Sequence, residues 1–462
     1  MAYLASTLYL PYGGGHVGLT IPYPSLELKV EPLRGIEDPD GQIKASLQNP
    51  LGMEPLHSLV KRGSRVAIIL EGLQVPGGYR RHVLNVLLSE LHSAGVKRGS
   101  ITIIVATGLY RKPSRKELTY MVGNEVFESY TVAVHDCEES RLLVKIGETP
   151  LGGPLDVNRW VAESDLVIVI SKVFPWGALG GYNSSARTLA LDLTSTETVS
   201  QYYDLNLVGN PACNGDPASN PLQKLFHETV RTIEETKGSP IFFVELVANI
   251  NGHLLSAKAG SLKPVENALW TEADKQYVAH IRKRGKLLVV GVPSVTFLGE
   301  SANSNIALLH AVTFALRNHR VSPVIHKGGL ILTAAECISA KANPVEDEVL
   351  RALIKTGSIE DLAAKQEKLK NPALIRLYKD GVTLHPLHPI FSLYTSAFTL
   401  EHVEEILVIG CKSKLAAKEL KITPLTKLED ALRRVEDHLG SDPVTITSPE
   451  YFTKGPIIQH VK

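Results

Sequence analysis

Short apolar runs alternate with amphipathic stretches along most of the chain. Arg65–Leu70 (RVAIIL), Ile101–Ala106 and Asp165–Ile170 (DLVIVI) are rich in Val and Ile and short, as strands buried on both faces are. Between the first two, Arg81–Ala94 sets Val83, Leu84, Leu87, Leu88 and Leu91 at helical spacing, with Gly95 as its stop. Lys116–Val122, Arg159–Ser164 and Pro221–Thr236 read as further helices, and Tyr130–Val134 as a strand. Pro39 opens a short helix whose apolar positions are Ile43, Ala45 and Leu47. Hairpins are expected at Ala2–Leu10 with Val17–Pro22, at Leu142–Ile146 with Pro154–Asn158, and at Ile241–Asn249 with His253–Ala259.

After a helical stretch at Ala268–Arg284 the alternation resumes. Lys286–Val290, Gly329–Ala334 and Glu404–Ile409 read as strands; Ile306–Arg317, Glu346–Thr356, Ser358–Lys370 and Leu425–Leu439 read as helices. The fold class expected is α/β, in two α/β domains with mostly parallel sheets: a larger one over residues 1–268 and a smaller one over 269–462.

Composition narrows the function classes. With 44% hydrophobic and 21% charged residues, the chain can bury sizeable cores. A net charge of +1 gives no global case for nucleic acid or an acidic membrane as partner. Cys137, Cys213, Cys337 and Cys411 are far apart and include no CxxC pair, so buried thiols of a cytoplasmic protein are expected. Met1–Leu10 lacks the basic leader of a signal peptide, and no apolar run approaches the ~20 residues of a membrane helix.

The candidate chemistry sits on strand-end loops: Glu71–Pro76, Thr107–Arg111, Lys172–Arg187, and Gly299–Asn305 with His310. Tyr110 offers a proton or a hydrogen bond, and Arg111 a two-pronged grip on a carboxylate. Lys172 and Arg187 flank a glycine-rich loop and suit an anion. His135 and Asp136 are adjacent on a strand end, where side chains diverge, so a structural His is expected. His385 and His388 are three apart, but Pro386 and Pro389 are expected to prevent the regular helix that would align them on a metal. GxSxG, P-loop and strand-linked GxGxxG motifs are absent. From the residues alone, the chain is a two-domain α/β protein with a cleft that favours a small anion.

Several segments in order resemble the nickel-pincer lactate racemase family (LarA and its homologues). They are YGGGHVGLTIP at Tyr12–Pro22, ATGLYR at Ala106–Arg111, VHD at Val134–Asp136 and GGPLDVNRWVAESDLVIVI at Gly152–Ile170, then GNP at Gly209–Pro211, GGLILTAAEC at Gly328–Cys337 and the closing ITPLTKLEDALRRVEDHLG. The resemblance implies two α/β domains facing each other across a cleft, and racemisation or epimerisation of 2-hydroxy acids by hydride transfer to a nickel-pincer group. It further implies a Lys tether, a nickel-ligating His and two acid/base His. This chain departs at each of those positions. The tether aligns with Arg187, the nickel ligand with Tyr203, and the two bases with Tyr110 and Pro175-Trp176. The Asp-Thr-Arg loop becomes Gly72, Gln74 and Val75, and the second domain's Gln and Lys fall near His310 and Thr313. Arg cannot supply the tethering amine, a Tyr phenol is a poor nickel ligand, and Trp has no basic nitrogen.

The reading is therefore a divergent member of that family that binds a small hydroxy acid or other anion without the pincer or any metal. Tyr110, Lys172 and His310 are the candidate proton-transfer groups of an isomerase; Arg111, Trp176, Arg187, Tyr203 and Gln74 are the candidate ligand contacts. Two alternatives stand beside it: a genuine pincer-dependent racemase with a rearranged site, and a catalytically silent paralogue.

Overall fold

The Val/Ile runs form the middle of two separate six-stranded sheets. The structure, a computed structural model, describes residues 6–75, 77–293, 305–337, 344–366, 371–412, 418–441, 443–451 and 456–461. In the first sheet the lateral order is Leu254–Gly260, Ile241–Ala248, Leu166–Val173, Val66–Glu71, Ile101–Ala106 and Thr131–Val134. Only the outermost Leu254–Gly260 runs antiparallel to its neighbour. Every residue of Val66–Glu71 is buried, because both faces are covered. Val66, Ile68 and Leu70 meet Val83, Leu84 and Leu87 of the helix Tyr79–Ser93. Ala67 and Ile69 face the other way, into a core with Leu189 and Phe226.

The strand order reverses at the centre of this sheet. From Val66–Glu71 the chain steps outward to Ile101–Ala106 and Thr131–Val134, then returns to the other side at Leu166–Val173. Open α/β sheets bind ligands beyond the carboxyl ends of the strands at such a reversal.

The second sheet is parallel throughout, in the order Ile422–Leu425, Val403–Ile409, Ile325–Ala334, Gly285–Val290, Thr445–Ser448 and Ser25–Glu27. Its edge strand thus comes from near the N-terminus. The hairpin of Ser6–Tyr12 with Gly15–Ile21 also belongs here, burying Leu10, Leu19 and Ile21 against Leu287, Val289 and Leu330. The simple division into 1–268 and 269–462 misses this return. The stretch expected as a helix over Ala268–Arg284 also differs. The helix is Leu262–Tyr277 and packs on the first sheet, while Val278–Ile281 is a strand paired with Ile457–His460. The alternating burial of Val278–Ile281 has the period of a strand.

The two sheets share a core. One continuous buried cluster runs from Ala67 and Val169 to Leu288, Val290 and Ile331. Arg317, 1% exposed, reaches across: its guanidinium donates to the carbonyls of Val208 at 2.6 Å, Cys213 at 2.9 Å and Thr395 at 2.9 Å, and to that of Asn210. Among the described residues, no helix is long and apolar enough to cross a membrane.

Candidate functional site

The site is built where the loop after Ile101–Ala106 meets the second domain. Gly108 sits at φ +50°, and a Cβ there would lie 2.8 Å from Asp192 Oδ1, so only glycine allows the contact. Its N–H donates to the Asp192 carbonyl at 3.1 Å. From the second domain, the Tyr378 hydroxyl donates to the Gly108 carbonyl at 2.8 Å and the His385 N–H to that of Leu109 at 2.9 Å. The loop is thereby fixed on both sides, and Tyr110 is carried edge-on against His388, with ring centres 4.8 Å apart.

His388 is the second residue of the buried helix Leu387–His402. The helix starts after His385, so the two histidines are not aligned on one regular helix, as expected; Pro386 stands at its N-cap and Pro389 lies in its first turn, where no intrahelical N–H is needed. His310, on Asn305–Arg317, lies 6.4 Å from His388 ring to ring. Tyr203 follows the helix Thr196–Tyr202 and stacks on Phe391 at 4.6 Å with the planes 2° apart. Tyr110, Asp192, Tyr203, His310, His388 and Ser392 line one cavity of about 20 Å³, room for a single water.

Behind the cavity lies a buried charge network. Arg187 donates to Asp192 Oδ2 at 2.7 Å and Oδ1 at 3.3 Å, and its Nε to Asn183 Oδ1 at 2.7 Å. Its guanidinium also stacks over Trp176 at 4.8 Å. Gln74 Nε2 donates to Asp192 Oδ2 at 3.0 Å. Asn183 Nδ2 donates to Glu71 Oε1 at 2.5 Å, and Tyr79 Oη to Glu71 Oε2 at 2.6 Å. Burial opposes the charge on Arg187, but Asp192, Tyr110 and Glu71 hold it above the usual guanidinium range. Burial pushes the Tyr110 and Tyr203 phenols up. It lowers His310 and His388 to about 3, so both imidazoles are neutral. Neither ring nitrogen of His310 meets a hydrogen-bond partner among the described residues.

The structure thus brings Tyr110, Tyr203 and His310 to one cavity; Arg187 and Gln74 do not line it but bind Asp192, which does, and Trp176 packs on the Arg187 guanidinium. It does not bring Lys172 and Arg111 there. Arg111 pairs with Glu117 at 2.7 Å, and Lys172 opens onto a different cavity. A single pocket rich in uncompensated cations, expected from the sequence, is not what forms, because Asp192 fills the fork of Arg187. Residues 299–304 of the expected second-domain loop lie outside the described residues. His135 is structural, as expected: its Nε2 bonds the Thr194 carbonyl at 3.1 Å and its Nδ1 bonds Asn158 at 3.0 Å.

Sequence reasoning missed His388 and Asp192. The pair spacing at His385 and His388 was the available signal for the first; nothing in the local sequence singles out Asp192. His385 Nε2, Cys137 Sγ and a Glu138 oxygen lie within 4.8 Å of one another and could hold a metal ion. Each already has a partner, His385 with Glu138 at 3.0 Å and Cys137 with the Tyr378 hydroxyl at 3.2 Å.

Comparison with known proteins adds the following. Residues 12–213 match the family model described as the lactate racemase N-terminal domain. The lactate racemase of Thermoanaerobacterium thermosaccharolyticum is 24% identical over 219 residues, which is 47% of this chain and 50% of that protein. The lactate racemase of Lactiplantibacillus plantarum is 24% identical over 227 residues, 48% of this chain and 50% of that protein. The matched part of the chain spans about half the length of these curated relatives. The structure of the lactate racemase apoprotein from T. thermosaccharolyticum covers 98% of this chain and 100% of its own, with a TM-score of 0.74 at 18% identity. A Thermotoga maritima protein of known structure covers 93% of this chain and 100% of its own, with a TM-score of 0.61 at 16% identity. These likenesses are of fold.

Proposed function

We propose that the chain is a divergent member of the lactate racemase (LarA-like) family that binds a small hydroxy acid or related anion between its two domains without the nickel-pincer group. The observation that carries this reading is Arg187. It stands at the position the resemblance gives to the tethering Lys, yet it is 1% exposed, forked onto Asp192 and stacked on Trp176. An amine is needed there, and a guanidinium held by an ion pair cannot act as one. Tyr203, at the metal-ligand position, is stacked on Phe391 with its phenol pushed up by burial. The residues present do not fit the pincer.

Ligand entry then requires the Tyr110 loop and the helix Leu387–His402 to part. The chemistry that remains is proton transfer. His310 and His388 are weak bases while the site is closed and dry; a carboxylate entering beside them would raise both toward the range useful for acid–base work. Tyr110 and His388, in edge contact, with His310 beyond them, are the groups that would remove and return a proton on the carbon beside a carboxyl group. Lys172 has no part in this site, because it faces the other cavity. A cytoplasmic location and a small-molecule partner, with neither nucleic acid nor membrane, complete the reading.

Thermal melts with lactate, other 2-hydroxy acids and sugar acids test it. A rise in Tm that shrinks in Tyr110→Phe and His388→Gln is expected. A rise of the same size in both variants, or none with any acid, contradicts it.

A further inference from the structure

A larger cavity opens on the opposite face of the same sheet end. Its volume is about 550 Å³, within the range of small-molecule sites, and its lining includes Ile36, Gly78, Tyr79, Lys172, Leu246 and His253. It lies past the carboxyl ends of Val66–Glu71, Leu166–Val173 and Ile241–Ala248, at the reversal of strand order. Strand alternation explains why Lys172 points here: it shares a face with Ile168 and Ile170, which pack under the helix Tyr79–Ser93.

The Lys172 ammonium is the unmet charge of this cavity. Among the described residues no acceptor hydrogen-bonds it; its side-chain contact is the Phe174 ring, 5.6 Å away. The nearby carboxylate, Glu71, is already engaged by Tyr79, Asn183 and the Lys172 backbone N–H at 2.9 Å. Burial and the Arg80 charge lower Lys172 and Glu71 raises it, leaving it at about 8. A second positive feature sits alongside. The 15-residue helix Tyr79–Ser93 begins at Gly78, which has no side chain to cap its first amides. Two other basic side chains of the lining have acids of their own, Arg34 with Glu37 at 2.5 Å and His82 with Asp40 at 3.5 Å. Ile43, Val83 and Leu246 supply apolar wall. One inner cation above apolar walls fits a monoanion with a greasy body better than a phosphate.

We propose that this cavity is a second binding site, for a small carboxylate bearing an apolar body, with the carboxylate on Lys172 and the first amides of the helix Tyr79–Ser93. It stands apart from the interdomain site and does not rest on the function proposed for it. Calorimetric titration of the full chain with octanoate and benzoate tests it, with octan-1-ol and inorganic phosphate as comparisons. One-to-one binding of a carboxylate is expected, weakened about tenfold or more by Lys172→Met and unchanged by Tyr110→Phe. Gly78→Leu provides an independent variant: the backbone there, at φ −82°, accepts a side chain, and a Cβ meets nothing within 4 Å. It should block the cavity and abolish binding. Phosphate or octanol binding as tightly as octanoate would overturn the ligand class. No carboxylate binding, or binding indifferent to both Lys172→Met and Gly78→Leu, would overturn the site.

Discussion

Arg187 and Asp192 close an ion pair inside the protein, Nη2 to Oδ2 at 2.7 Å, with side-chain exposures of 1% and 3%. This contact changes what the site can be. A cation that looked available for a ligand is neutralised by a residue of its own helix end, five positions on. A ligand carboxylate would gain Arg187 only by displacing Asp192, so recognition of the proposed ligand would fall to Tyr110, Tyr203, His310 and His388.

Breaking this pair from one side leaves a buried charge without its partner. Arg187→Met or Asp192→Leu alone should each cost about 3–5 kcal/mol, and the double variant should recover most of that loss. Urea unfolding of the three variants measures it; additive losses in the double variant would contradict the pairing.

The buried histidines predict an acid limb in stability. His310 and His388 are lowered from 6.5 to about 3 by burial, so the unfolded chain takes up their protons first. Their share of stability is complete above about pH 6.5, where both states are neutral, and is lost progressively as pH falls toward 3. His310→Phe should flatten this limb between those values, and the ring protons of both histidines should not titrate between pH 5 and 8 in NMR spectra. A midpoint near 6.5 for either would contradict their burial.

Arg317 predicts a link between interface and stability. Its guanidinium serves carbonyls from the 208–213 loop and from the helix Leu387–His402, so Arg317→Met strands several buried acceptors at once. A loss of about 3 kcal/mol or more is expected. Hydrogen exchange should quicken at Val208–Cys213 before it does in the strand Val66–Glu71; uniform quickening would contradict a local role.

Much of the fold was legible because its signals are local. Val66, Ile68 and Leu70 alternate with Ala67 and Ile69 between two covered faces, and the helix at Tyr79–Ser93 carries its apolar stripe at plain helical spacing. The strand Ser25–Glu27 was not legible. It is three exposed residues whose pairing with Thr445–Ser448 is set by a partner more than four hundred positions away. The site divides in the same way. Tyr110, Tyr203 and His310 could be placed from strand ends and from resemblance. His388 was obscured by two prolines that a first helical turn tolerates. The separation of Lys172 from Arg187 depends on which face of one strand each loop leaves, and it decides between two cavities.

The central claim is that this chain, proposed as a divergent lactate racemase relative, works without the nickel-pincer group. Intact mass spectrometry with nickel analysis tests it most directly, on protein produced alongside the enzymes that build that group. The account predicts the mass of the unmodified chain and less than stoichiometric nickel. An adduct on a lysine together with one equivalent of nickel would contradict it.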